Sequence, residues 1–223
     1  MKRIPAIFFV VACLVNLAGR IWEPALAAAV KPALLPLLAV AVLTYALSHK
    51  VDGRTLGMLV TAELFGCAGD ICLLSSAFPF FAAGIGLFLI GHIFYISIFG
   101  GRSWKGLGWK VWVPSAIAMA LVVAGLLALL KVSGALLPPM AVYGFVLTLL
   151  IFSTLCGFIR FADKRTWGIL LCGAVLFTFS DALIAAGTFG VATFALREFV
   201  VMLTYLAAQT LLAIGTLRLA ARK

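Results

Sequence analysis

Acidic residues are scarce in this chain. Asp and Glu together number seven among 223 residues, against 17 Lys and Arg, and charged residues make up only 11% of the whole. A water-soluble domain carries about a quarter. Histidine occurs twice, as His49 and His92, too few imidazoles for a multi-histidine metal site. The five cysteines form no CxxC pair, so the usual zinc and redox spacings are missing. GxSxG, HExxH, the P-loop and a GxGxxG with a following acid are also absent. Serine-esterase, zinc-protease and nucleotide-dependent chemistries therefore have no motif to rest on. The last apolar run holds no Lys or Arg except Arg218 at its edge, so a retinal-type Schiff base there is unsupported. No metal and no cofactor is expected.

What the chain has in abundance is hydrocarbon. It is 65% hydrophobic, with mean hydropathy +1.23. Apolar runs of membrane-spanning length fall near 4–19, 24–47, 55–75, 78–99, 110–130, 135–159, 167–187 and 196–217. Connections between them are too short for a soluble domain. The expected fold is all-α: a polytopic membrane protein of eight transmembrane helices forming one domain over 1–223.

The formal charge of +10 does not point to nucleic acid. With eight spans, thirteen Lys and Arg collect on the side that holds both termini, and only Arg20, Lys31, Lys131 and Arg197 lie opposite. That bias places both termini in the cytoplasm. The expected location is the inner (plasma) membrane of a bacterium. The first run resembles a signal peptide, with Ala25–Leu26–Ala27 as a cleavage-like site, but it reads better as a retained span. The cysteines all lie in apolar runs and read as small buried hydrophobes.

Against this background the stretch ELFGCAGDICLL stands out. Glu63 and Asp70 are seven residues apart, two helical turns, and so share one face. A carboxylate at the centre of a membrane helix costs ~2.5–3.5 kcal/mol even on lenient scales. A faint echo follows: LFGCAGDICLL resembles LFTFSDALIAA, with Asp181 answering Asp70 at an offset of 111. The next run in each half carries a polar pair, His92 with Tyr95 and Tyr205 with Gln209. Together these suggest a 4+4 parallel repeat about the membrane normal.

Depth groups the polar residues. At the helical rise, Asp70 lies ~6–12 Å below the outer end of its span, Asp181 ~9 Å, Lys31 ~10 Å, Tyr143 ~8 Å and Tyr205 ~13 Å. Glu63 and His92 lie deeper, at ~20 Å, and are expected to satisfy one another. Asp52 and Asp163, beside Lys and Arg, read as solvated loop charges. Lys31 is the one basic residue well inside a run, able to neutralise an Asp or to receive an anionic head group. Intramembrane acids mark function by default, and Asp70 and Asp181 are the candidates.

KP at 31–32, GD at 69–70, GHIFY at 91–95, PPMAVY at 138–143, FSDALIA at 179–185 and YLAAQTLLAIG at 205–215 resemble, in order, the motifs of the YhhN-like lysoplasmalogenases. The resemblance covers nearly the whole chain. It implies an eight-helix membrane hydrolase that cleaves the vinyl ether bond of a lysophospholipid substrate taken from membrane lipid. The products would be a fatty aldehyde and glycerophosphoethanolamine or glycerophosphocholine. It also carries over, at matching positions, Asp70 and Asp181 as catalytic residues, and Lys31, His92, Tyr95, Tyr143, Tyr205 and Gln209 as substrate-binding residues. Glu63 matches none of these motifs.

The chemistry fits the residues independently. A vinyl ether hydrolyses by protonation of its β-carbon, leaving an oxocarbenium ion that water attacks. One carboxylic acid supplies the proton; one carboxylate stabilises the cation and activates water. The phosphate would sit near Lys31 or Arg197. A proton-coupled transporter using the same intramembrane acids is the alternative from another class.

Overall fold

Apolar runs separated by polar breaks become helices because hydrocarbon forces every backbone N–H and C=O to pair within its own segment. In the computed structural model, which describes residues 4–75 and 77–221, eight such helices occur: α1 (Ile4–Trp22), α2 (Pro24–Ala46), α3 (Gly53–Cys72), α4 (Phe78–Ser103), α5 (Trp109–Leu129), α6 (Leu137–Arg160), α7 (Lys164–Thr188) and α8 (Arg197–Ala220). All eight are long and apolar enough to cross a membrane. The chain is an integral membrane protein. Lys2, Arg3, Arg222 and Lys223, which contribute to the charge bias, lie outside the described residues.

Local chemistry sets the helix ends. Pro24 opens α2 at a position where its missing N–H costs nothing. Asp52 caps α3: its Oδ2 accepts from Thr55 N–H at 2.9 Å and from Thr55 Oγ1 at 2.8 Å. Asp163 caps α7 by accepting from Thr166 N–H at 3.0 Å. These two acids are therefore N-caps, a role beyond their reading as solvated loop charges; Asp163 is exposed and Asp52 half-buried. The signal was available: Asp-x-x-Thr stands immediately before each apolar run.

Basic residues serve the opposite ends. Arg160 donates to Ser103 O and, at 2.7 Å, to Lys105 O, at the end of α4. Lys164 Nζ donates to Phe158 O and Ile159 O, at 2.5 and 2.9 Å, closing α6. Carbonyls at a helix C-terminus lack intrahelical donors, so a cation there gains both hydrogen bonds and dipole attraction.

The helices group into two compact units. The first comprises residues 1–95 with 209–223. In it, Asn16 Nδ2 ties α1 to α2 by donating to Ala27 O at 2.8 Å. Gly91 lets α4 approach α3 closely, since a Cβ there would stand 3.1 Å from Ala62 O. The end of α8 joins through Asp52 N–H to Ala220 O at 2.9 Å. The second unit comprises residues 96–208. Here the Trp112 ring packs on Trp104 and Phe152. Ser180 Oγ on α7 donates to Val201 O on α8 at 3.0 Å.

Because the unit boundaries fall inside α4, after Tyr95, and inside α8, before Gln209, these units are not the first four and last four helices. The cysteines also depart from their expected burial: Cys156 is buried, Cys13, Cys67 and Cys72 are half-buried, and Cys172 is exposed. On a lipid-facing surface a thiol needs no burial, because hydrocarbon is on both sides of it.

Gly157 on α6 lies against the Trp167 indole of α7, where an added Cβ would overlap the ring. Gly157→Ala is expected to destabilise the protein by about 1–3 kcal/mol through overpacking, less up to about 1 kcal/mol of improved helix propensity. Gly125→Ala on α5 meets open space and should be neutral or mildly stabilising. Thermal unfolding in detergent, run on both variants, checks the contrast.

Candidate active site

Every polar residue singled out in the apolar runs is buried: Lys31, Glu63, Asp70, His92, Tyr95, Tyr143, Asp181, Tyr205 and Gln209. A buried polar group costs free energy unless it is paired, so their partners define the chemistry. Each Asp has a different one.

In the first unit, α2 presents Lys31 to α3, and Lys31 Nζ lies 3.1 Å from Asp70 Oδ1. Of the two roles open to Lys31, the structure shows the acid partner. Lys31 is inside α2, which starts at Pro24 and continues through Pro32 and Pro36. Neither proline has an N–H, so the i→i−4 bonds to Ala28 O and Pro32 O are lost on either side of Lys31. Cys67 Sγ on α3 supplies one of the missing donors, to Pro32 O at 3.4 Å. The ion pair thus sits at a weakened stretch of helix that a neighbouring side chain repairs.

Deeper in the same unit, Tyr95 Oη on α4 donates to Gln209 Oε1 on α8 at 3.0 Å. His92 Nδ1 donates to Phe88 O, one turn back on its own helix, at 2.6 Å. The expectation that Glu63 and His92 satisfy each other fails, since neither Glu63 oxygen has a hydrogen-bond partner. The imidazole is drawn instead to a carbonyl of its own turn. Glu63 remains fully buried, close enough to the Tyr95 phenol for the two to interact electrostatically.

In the second unit, Tyr143 Oη on α6 donates to Asp181 Oδ2 on α7. Tyr205 on α8 meets the Phe177 ring edge to face, with centroids 5.4 Å apart. Arg197, a candidate for the phosphate, donates to Leu183 O at 3.3 Å and to Glu198 Oε1 at 2.5 Å.

The two acids occupy equivalent sequence contexts. The caps Asp52 and Asp163, their Thr55 and Thr166 partners, and Asp70 and Asp181 are each separated by 111 residues (163 − 52, 166 − 55, 181 − 70). Each acid has a partner on the preceding helix, Lys31 on α2 and Tyr143 on α6. The faint repeat in the sequence therefore extends to capping and to side-chain pairing. Chemically, one carboxylate is held by a cation and the other carboxyl by a neutral phenol. Such a difference can hold two like groups in different protonation states.

Comparison with known proteins follows the same residues. A family model described as the YhhN family matches residues 26–216. Lysoplasmalogenase TMEM86B of Mus musculus is 31% identical over 183 residues, covering 82% of this chain and 73% of that protein. No solved structure matches.

The ion pair generates a stability test. Lys31→Met leaves a buried carboxylate without its cation, and should cost about 3–5 kcal/mol. Adding Asp70→Asn to the same chain removes that charge and should restore most of the loss. Unfolding temperatures of the single and double variants in detergent measure both effects.

Proposed function

The chain belongs to the YhhN family, and on that premise we propose that it is a membrane lysoplasmalogenase, hydrolysing the vinyl ether bond of lysoplasmalogens by acid–base chemistry on two carboxyl groups. The observation that carries this reading is the unequal partnering of the two intramembrane acids. Asp70 stands 3.1 Å from a lysine ammonium, which offsets the cost of its charge and suits it to be the carboxylate. Asp181 accepts from the neutral phenol of Tyr143, which steadies a negative charge less than an ammonium does, and the proton is assigned to it.

The steps balance without any further reactant. Asp181 transfers its proton to the β-carbon of the vinyl ether, and the positive charge moves onto the ether oxygen and its α-carbon. Asp70 stabilises that oxocarbenium ion electrostatically. Asp70 then takes a proton from water as the water oxygen bonds to the α-carbon, giving a hemiacetal. On collapse the hemiacetal hydroxyl returns a proton to Asp181, and Asp70 delivers its own to the departing glycerol oxygen. The products are a fatty aldehyde and the glycerophospho-compound, with both carboxyls restored.

Lys31 has three N–H donors, of which Asp70 needs one, so the lysolipid phosphate is assigned to it as well. Arg197 has two protein partners and is the weaker candidate. Tyr143 holds Asp181 in orientation; Tyr95, Gln209, His92 and Tyr205 are assigned to substrate binding. The charge bias supports a cytoplasmic position for both termini.

Purified protein in detergent should release aldehyde from lysoplasmalogen and none from the matching saturated alkyl ether lysolipid, which has no double bond to protonate. A transporter would release none from either, sealed vesicle or not. Asp70→Asn and Asp181→Asn should each lower turnover by ~10²–10⁴-fold while eluting as monodisperse protein. Substantial activity in either folded variant would sink the two-carboxylate assignment.

A further inference from the structure

The half-buried thiol of Cys67 lies outside every motif and has no part in the chemistry above, yet its position is specific. Pro36 lies inside α2 and has no N–H to give to Pro32 O. In hydrocarbon an orphan carbonyl has no water to turn to. The Cys67 thiol is the donor, at 3.4 Å. Both ends of this bond adjoin the ion pair. Pro32 follows Lys31 directly, and Cys67 is three residues before Asp70 on α3, on the same face.

We propose that Cys67 is a positioning residue for the reaction: its S–H···O=C bond to Pro32 fixes α2 against α3 at the level of the ion pair and so holds Lys31 where it serves Asp70 and the phosphate. The inference rests on the proposed roles of Lys31 and Asp70. A thiol is a weak donor, but it is the smallest side chain with a donor at this reach that adds no second strong acceptor to the site. The device answers a specific need, because the prolines weaken α2 where the lysine must be held steady.

The test is a double-mutant cycle with Pro36. Cys67→Ala should lower kcat/KM about fivefold, the loss expected of one neutral hydrogen bond, with most of the change in KM. Loss of folded protein would lower apparent kcat and leave KM unmoved. Cys67→Ser keeps a donor and should return to within about twofold of the parent. Pro36→Ala restores an N–H that can reach Pro32 O, so Cys67→Ala should have no further effect in that background. Independently of activity, the S–H stretching band isolated by the parent-minus-Cys67→Ala infrared difference should lie below that of an unbonded thiol, and should move up in Pro36→Ala. Additive effects of Cys67→Ala and Pro36→Ala, a Cys67→Ser variant as impaired as Cys67→Ala, or an unbonded S–H frequency would each overturn the proposal. Those outcomes leave the two-carboxylate reading standing if the Asp variants are inactive; active Asp variants defeat that reading, and the infrared band still decides the bond.

Discussion

Hydrocarbon offers a polar atom nothing to bond with, and each polar contact in this protein answers that constraint. Backbone groups answer it by helix formation, and the helix ends by side chains: Asp52 and Asp163 at two N-termini, Arg160 and Lys164 at two C-termini. Side chains inside the spans answer it in pairs, Lys31 with Asp70, Tyr143 with Asp181, and Tyr95 with Gln209. The prolines of α2 create one more orphan carbonyl, and Cys67 meets it. Like the Ser103 and Thr216 hydroxyls, Glu63 departs from this scheme, fully buried with neither oxygen hydrogen-bonded. A carboxyl in that position is far less costly as the neutral acid than as the anion.

The same scheme is used twice along the chain. A capped helix carries an Asp near its far end, and the preceding helix supplies that Asp with a partner. What differs is the partner, a lysine in one copy and a tyrosine in the other. A duplicated arrangement begins with two equivalent acids, whereas acid–base chemistry needs two unequal ones. Changing the partner is the economical way to separate them, because the charge beside a carboxyl affects its protonation more directly than any change in packing.

The energetics favour binding chemistry to scaffold at these positions. A buried ion pair is seldom a net gain over well-packed apolar residues of the same volume. Lys31 and Asp70 are therefore poorly explained as a stability device alone. Their presence at a stretch of α2 where two ladder bonds are lost is better explained by a demand for charge at that place.

Much of the architecture was legible in the sequence, because hydropathy and length are properties of one segment at a time. Eight helices, their approximate limits and the burial of the polar residues all follow from the cost of exposing a peptide group or a charge to lipid. So do the candidate acids, since few structural reasons exist for a carboxyl in an apolar run. The N-caps of α3 and α7 were written in the chain too, as Asp-x-x-Thr before each of those two runs. Tertiary structure alone decided the pairings: which acid has the lysine, that Tyr143 reaches Asp181, that His92 bonds Phe88 O with no hydrogen bond to Glu63, and that Cys67 meets Pro32. The spacing of residues along one helix sets which of them share a face. It says nothing of how that face is rotated toward its neighbour, and a hydrogen bond between helices depends on that rotation to within an ångström.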